Sequence, residues 1–181
     1  MGCSASFPNH TTPWKKPTCA PGDFQIASVS LSHNTKNTLR ESWKLVEPVK
    51  TETGKAMFMR LFKTHPNIQD TFPSFRGVSL DELMNSRSLY LHANRVMAVV
   101  ENAISALDDA DEVVESLTNL GKKHQPWSLT QEHFRVLGDA LLWALQEMLN
   151  TECTNQVIEA WKELFKFITR PMLNGVEGDV F

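Results

Sequence analysis

The sequence predicts an all-α domain of six or more helices behind a flexible N-terminal segment. Three observations carry that prediction. From residue 31 onward, apolar residues recur at the 3.6-residue spacing of helices. No stretch shows the strict apolar–polar alternation of a half-buried strand. Prolines and polar clusters interrupt the pattern at helix-length intervals.

The elements follow in order. Residues 1–30 hold Pro8, Pro13, Pro17 and Pro21 among scattered Ser, Thr and Lys, with no period of either kind, and are expected to form a disordered tail. Leu39, Trp43 and Val46 form the first stripe, with Ser32 or Asn34 as its cap, and Pro48 interrupts it. Met57, Phe58, Leu61 and Phe62 form the second, which stops before Pro66. Residues 71–77, with Phe72 and Phe75, read as a turn region. A long helix carries Leu89, His92, Val96, Val99, Ala103 and Leu107, and Asp108-Asp109-Ala110-Asp111 breaks it and caps the next. A shorter helix carries Val113, Leu117, Leu120 and His124, closed by Pro126. Phe134, Leu137, Leu141, Leu145 and Met148 mark a further helix. Val157, Trp161, Leu164, Phe165 and Ile168 mark the last, expected to end near Pro171. The domain is therefore placed at 31–172, with 173–181 as a C-terminal tail.

Composition narrows the function classes. A net charge of −3 gives no broad basic surface, so nucleic acid is not an expected partner. No apolar run reaches 18 residues and no signal-peptide core is present, so neither a membrane span nor secretion is expected. The Asn9-His10-Thr11 sequon then has no expected use. Cys3, Cys19 and Cys153 form no CxxC pair and no zinc spacing, and a Cys19–Cys153 bridge stays open. The sequence Met1-Gly2-Cys3-Ser4-Ala5-Ser6 fits N-myristoylation at Gly2, with Cys3 beside it for a palmitoyl chain. Two acyl chains hold a membrane where one holds only marginally, and Lys15 and Lys16 would add attraction to anionic lipid. Chance produces the Gly2/Ser6 pattern in about 1% of chains.

Two of the six histidines sit inside apolar stripes. His92 aligns with Leu89 and Val96, and His124 with Leu117 and Leu120, so both should point inward. A buried imidazole needs a partner. Either both face one buried metal, haem iron being the natural candidate in a Phe-rich slot, or they are unrelated core histidines bonded to backbone; spacing alone does not choose. In the first case, the second nitrogen of His124 would need an acceptor such as a carbonyl one turn back, near Leu120.

At these residues the sequence resembles the globins, over roughly residues 31–172. Trp43 resembles the tryptophan of the first globin helix. Phe72-Pro73-Ser74-Phe75 resembles the corner whose first phenylalanine stacks on the porphyrin. Leu91-His92-Ala93-Asn94-Arg95-Val96-Met97 resembles the distal segment, and Leu120-Gly121-Lys122-Lys123-His124 the proximal segment. Phe134 and Leu137 match haem-facing positions of the following helix. The proximal segment, Phe58 and the acylation-ready start are similar to the neuroglobin and globin X branch. No cysteine lies between residues 20 and 152, so the neuroglobin-type disulfide has no counterpart.

The resemblance implies a globin fold, a three-over-three sandwich of seven to eight helices in which the short fourth helix is absent or irregular. It implies non-covalent haem b, since no CxxCH is present. His124 would bind the iron permanently, and His92 would either bind it or hydrogen-bond bound O2. Phe72 would stack on the ring, and Phe58, Phe75 and Val96 would wall the distal side. Leu120, Leu129, Phe134, Leu137 and Phe165 would line the proximal side and floor. Arg95 and Lys123 would pair with the propionates, although a solvated surface arginine explains Arg95 as well. Diatomic gases (O2, NO, CO) are the implied ligands, with an unidentified electron donor, a membrane contact through the acyl chains and an optional homodimer as partners. The expected place is the cytoplasm, at the inner face of the plasma membrane. Three functions fit: redox or gas sensing and signalling, an enzyme-like nitrite reductase or NO dioxygenase, or oxygen storage and transport.

Overall fold

The computed structural model describes residues 31–178. The tail 1–30, with Gly2, Cys3, Cys19, the sequon and Lys15–Lys16, lies outside the described residues. Within them are eight α-helices: α1 His33–Val46, α2 Lys50–Thr64, α3 Pro66–Gln69, α4 Leu80–Met84, α5 Arg87–Ser105, α6 Asp111–His124, α7 Gln131–Leu149 and α8 Asn155–Glu177. No strand occurs among them.

Local chemistry sets the boundaries. The Ser32 hydroxyl, rather than Asn34, caps α1 by accepting from the Thr35 amide at 3.0 Å. Pro48 opens a 3-10 turn, Glu47–Val49, before α2. Ser86, Thr130 and Thr154 cap α5, α7 and α8 in the same way as Ser32. The acidic run at 108–111 does break the chain, but the cap of α6 is Ala110, with no side-chain bond. Asp111 and Glu112 instead sit in the first turn, where the helix dipole favours them. Asp108 bonds Lys36 at 3.1 Å and Arg40 at 2.6 Å, tying the connector to α1.

Two elements depart from expectation. The short fourth helix is formed, not absent or irregular. Ser79 and Glu82 make a reciprocal capping box, which satisfies two amide donors that so short a helix would otherwise leave open. The last helix does not stop near Pro171 but runs through it to Glu177. A proline inside a helix costs about 3 kcal/mol. What offsets it is the contact beyond: a Cβ at Gly175 would meet the Thr118 carbonyl oxygen at 2.1 Å, and one at Gly121 would meet the Met172 oxygen at 2.0 Å. The backbones of α6 and α8 therefore cross at two glycines, and residues 173–177 are part of the packed helix.

The helices form two layers, with α1, α5 and α6 packed across α2, α7 and α8; the α6–α8 and α2–α7 contacts are the most extensive. The core holds Trp161 and Trp43, ring centroids 6.2 Å apart. The Trp161 indole N–H donates to the Ser42 hydroxyl at 2.9 Å, so the buried polar atom is satisfied. Cys153 is half-buried, with no disulfide partner among the described residues.

Candidate functional site: an apolar cavity between two histidines

A cavity of about 580 Å³ opens between α5 and α6 and reaches down to α2, α7 and α8. Every haem-site residue singled out from the sequence lines it: Phe58, Phe72, Phe75, His92, Arg95, Val96, Leu120, Lys123, His124, Leu129, Phe134, Leu137 and Phe165. The lining is overwhelmingly apolar and contains no Asp or Glu. Its cations are at the mouth, where Arg95 and Lys123 are exposed.

α5 carries His92 to one side of the cavity. Three phenyl rings surround it, with centroids at 5.0 Å for Phe58, 5.3 Å for Phe72 and 6.2 Å for Phe75. Phe72 and Phe75 stack on each other at 5.1 Å, and Phe62 packs behind both. Burial among these rings lowers the His92 pKa to about 4, and the charges of Arg95 and His124 push the same way. His92 is therefore neutral at physiological pH. No hydrogen bond joins its ring to a described residue, yet no side-chain nitrogen or oxygen among those residues is fully buried without a partner. Its free nitrogen thus reaches the cavity space, where a ligand can use it.

His124 ends α6 on the other side. Its Nδ1 lies 2.8 Å from the Leu120 carbonyl oxygen, one turn back. A carbonyl only accepts, so Nδ1 is the donor, and in the neutral ring Nε2 keeps its lone pair. This is the arrangement of an imidazole prepared to bind a metal.

The sequence reading missed several lining residues. Met57, Leu61, Val99 and Leu141 stand in the apolar stripes but carry no site role there, and Val100 belongs to no stripe named above. Trp127 lies past Pro126, where helical periodicity gives no guidance, and nothing in the sequence marks it as a lining residue. His133 also lines the cavity, and its Nδ1 accepts the Thr130 amide at 3.0 Å, so it serves the α7 cap. His33 and His65 bond local partners, Asn37 and Thr64. His10 lies outside the described residues.

A slot of this size and polarity, with one imidazole lone pair set by a backbone bond and a second imidazole held neutral, suits a flat apolar macrocycle whose metal takes nitrogen ligands and whose acidic edge meets cations. Comparisons with known proteins agree. Residues 55–172 match the globin family. Neuroglobin of Danio rerio is 31% identical over 146 residues, covering 80% of this chain and 92% of its own length. Neuroglobin-2 of Oncorhynchus mykiss is 32% identical with the same coverage. Among solved structures, a hexacoordinated haem protein from an anhydrobiotic tardigrade is 26% identical with a TM-score of 0.76, covering 82% of this chain and 96% of that one. Haemoglobin of the botfly Gasterophilus intestinalis, 18% identical with a TM-score of 0.73, covers 82% of this chain and all of that one, and shares the fold. The chain belongs to the globin family, and with that family goes the binding of haem and of diatomic gases such as O2.

Proposed function

We propose that this globin carries haem b bound to both His124 and His92, and that it works in redox chemistry or gas sensing and signalling at a membrane. The observation that carries this reading is His92, a neutral imidazole without a hydrogen-bond partner among the described residues, ringed by Phe58, Phe72 and Phe75 on the side of the cavity away from His124. The hexacoordination of the tardigrade neighbour supports it.

Each residue has a task. His124 presents the Nε2 lone pair that its bond to Leu120 sets free. His92 needs no deprotonation before it offers a lone pair, because burial keeps it neutral. Phe58, Val96 and the Phe72–Phe75 stack exclude water on the His92 side; Leu120, Leu129, Phe134, Leu137 and Phe165 do so on the other. Arg95 and Lys123, exposed at the cavity mouth, would pair with the propionates. Bound there, haem supplies an iron that takes diatomic ligands and cycles between ferrous and ferric states. With His92 holding the iron, an external ligand would have to displace it, which would make binding gated. Phe58 brings no hydroxyl, so His92 is also the polar group that a bound ligand meets. Electrons come from a separate donor.

The test is the visible spectrum of the dithionite-reduced protein without oxygen. Sharp, split α and β bands are expected, collapsing to one broad band in His92→Leu, and His124→Gly should lose stable haem. A broad band in the wild type overturns six-coordination; no haem bands after added haemin overturn the haem assignment itself.

Attachment to the inner face of the plasma membrane is supported by the residue pattern Gly2-Cys3-Ser4-Ala5-Ser6. Where Gly2 becomes the N-terminal residue, Gly2→Ala should move the protein from the membrane to the soluble fraction of expressing cells. Equal partition of the two forms counts against the tether.

A further inference from the structure

Trp127 lines the cavity, and the roles above do not use it. It is 43% exposed, an unusual position for the largest apolar side chain, yet it lines the cavity. Its ring centroid lies 5.5 Å from that of His124, with the planes tilted by 59°, and this is the aromatic contact of the His124 ring. The backbone holds it there. Gln125–Trp127 form a 3-10 turn with Pro126 near its start. Ser128, directly after, sits in the left-handed region at φ 48° and ψ 45°, which costs a non-glycine residue about 1–2 kcal/mol. The Gln125 side-chain amide donates to the Gly175 carbonyl of α8 at 3.1 Å. A strained residue and a cross-helix bond thus fix a short connector whose central aromatic meets a histidine with one part of its ring and water with the rest.

We propose that Trp127 is the positioning residue of His124. His124 is the last residue of α6 and only half-buried, so water can compete for its Nδ1–H and for the Leu120 carbonyl. An imidazole left to water favours the other tautomer, with the proton on Nε2, which cannot bind a metal through that nitrogen. The Trp127 ring, packed at the cavity rim, keeps water from the His124–Leu120 bond and holds the ring in the rotamer that makes it. The proton stays on Nδ1 and Nε2 stays open. Loss of groups that orient a metal-bound histidine typically costs about 10–100-fold in metal affinity.

This inference rests on His124 as the iron ligand, and its first test needs no haem. Nitrogen-15 NMR of the haem-free full-length protein reports which His124 nitrogen carries the proton. Wild type and Trp127→Phe should show the proton on Nδ1, and Trp127→Ala should shift the population toward Nε2. In the haem-loaded protein, Trp127→Ala should lose haem to an acceptor apoglobin about tenfold faster than wild type, with Trp127→Phe close to wild type. Unchanged His124 nitrogen shifts in Trp127→Ala overturn the proposal, even if haem loss accelerates, because Trp127 would then act only by touching the cofactor. Equal loss of the Nδ1 proton in Trp127→Phe overturns it as well, since ring packing would not be the cause. Matching thermal midpoints for the three proteins show that the fold is intact, and failure of the haem assignment leaves the NMR result standing.

Discussion

His92 and His124 reach the same cavity by opposite means. His124 is fixed by a bond, its Nδ1 proton held on Leu120, so only one nitrogen remains to act. His92 is fixed by enclosure: phenyl rings make its charged form costly and give it no competing partner. Both positions were legible in the sequence, because an imidazole inside a 3.6-residue apolar stripe has to face the interior. The Leu120 acceptor was legible too, since residues i and i−4 neighbour each other on any helix. The Phe58–Phe72–Phe75 enclosure was legible only through family resemblance; spacing says nothing of which rings from α2 and the 71–77 turn meet a residue on α5. Trp127 was not legible at all. Its placement depends on a turn and a left-handed serine, and neither leaves a periodic trace.

At the level of the elements, stripes located six helices well, while contacts across helices decided what stripes could not. Pro171 is a strong stop signal in a sequence and was read as one. It failed because a partner helix lies close enough to reward continuing, which no single-helix pattern contains. The formed α4 is the converse case, since its Ser79/Glu82 capping box stands in the sequence but its five residues are too few to show a period. The α6–α8 crossing makes a prediction at this scale. A methyl group at residue 175 would stand 2.1 Å from the Thr118 oxygen and 2.9 Å from the Lys122 nitrogen, both backbone atoms that cannot rotate away. Gly175→Ala should therefore force the helices apart and lower unfolding stability by about 3 kcal/mol, read from urea midpoints. Because α6 carries His124, haem loss should accelerate in the same variant. Asn174→Ala, at an exposed neighbouring position, is the control and should change little. A Gly175→Ala midpoint equal to that of the control would mean that residues beyond Pro171 do not dock.

In the molecule as a whole, packing is uneven, and the cavity explains where. α1 and α8 meet around Trp43 and Trp161, α2 sits among α5, α7 and the phenyl cluster, but α6 buries only Leu117 and Gly121. Of its remaining apolar side chains, Val113 and Leu120 are partly buried and Val114 is exposed, and its one extensive neighbour is α8. Without an occupant, one flank of α6 faces about 580 Å³ of apolar space and gains no contact from it. A ligand that binds only the folded form adds RT ln(1 + [L]/Kd), about 4 kcal/mol at a thousandfold excess over Kd, and the gain falls where contacts were missing. Local opening follows the same unevenness, since segments with few buried apolar contacts open at the lowest cost. In the haem-free protein, the amides of α6 should exchange with solvent at least tenfold faster than those of α8 around Trp161. Adding haemin should slow α6 most and leave the α1–α8 crossing near its original rate. Uniform protection of all helices without haem would show that contact with α8 alone holds α6 as firmly as the rest of the core.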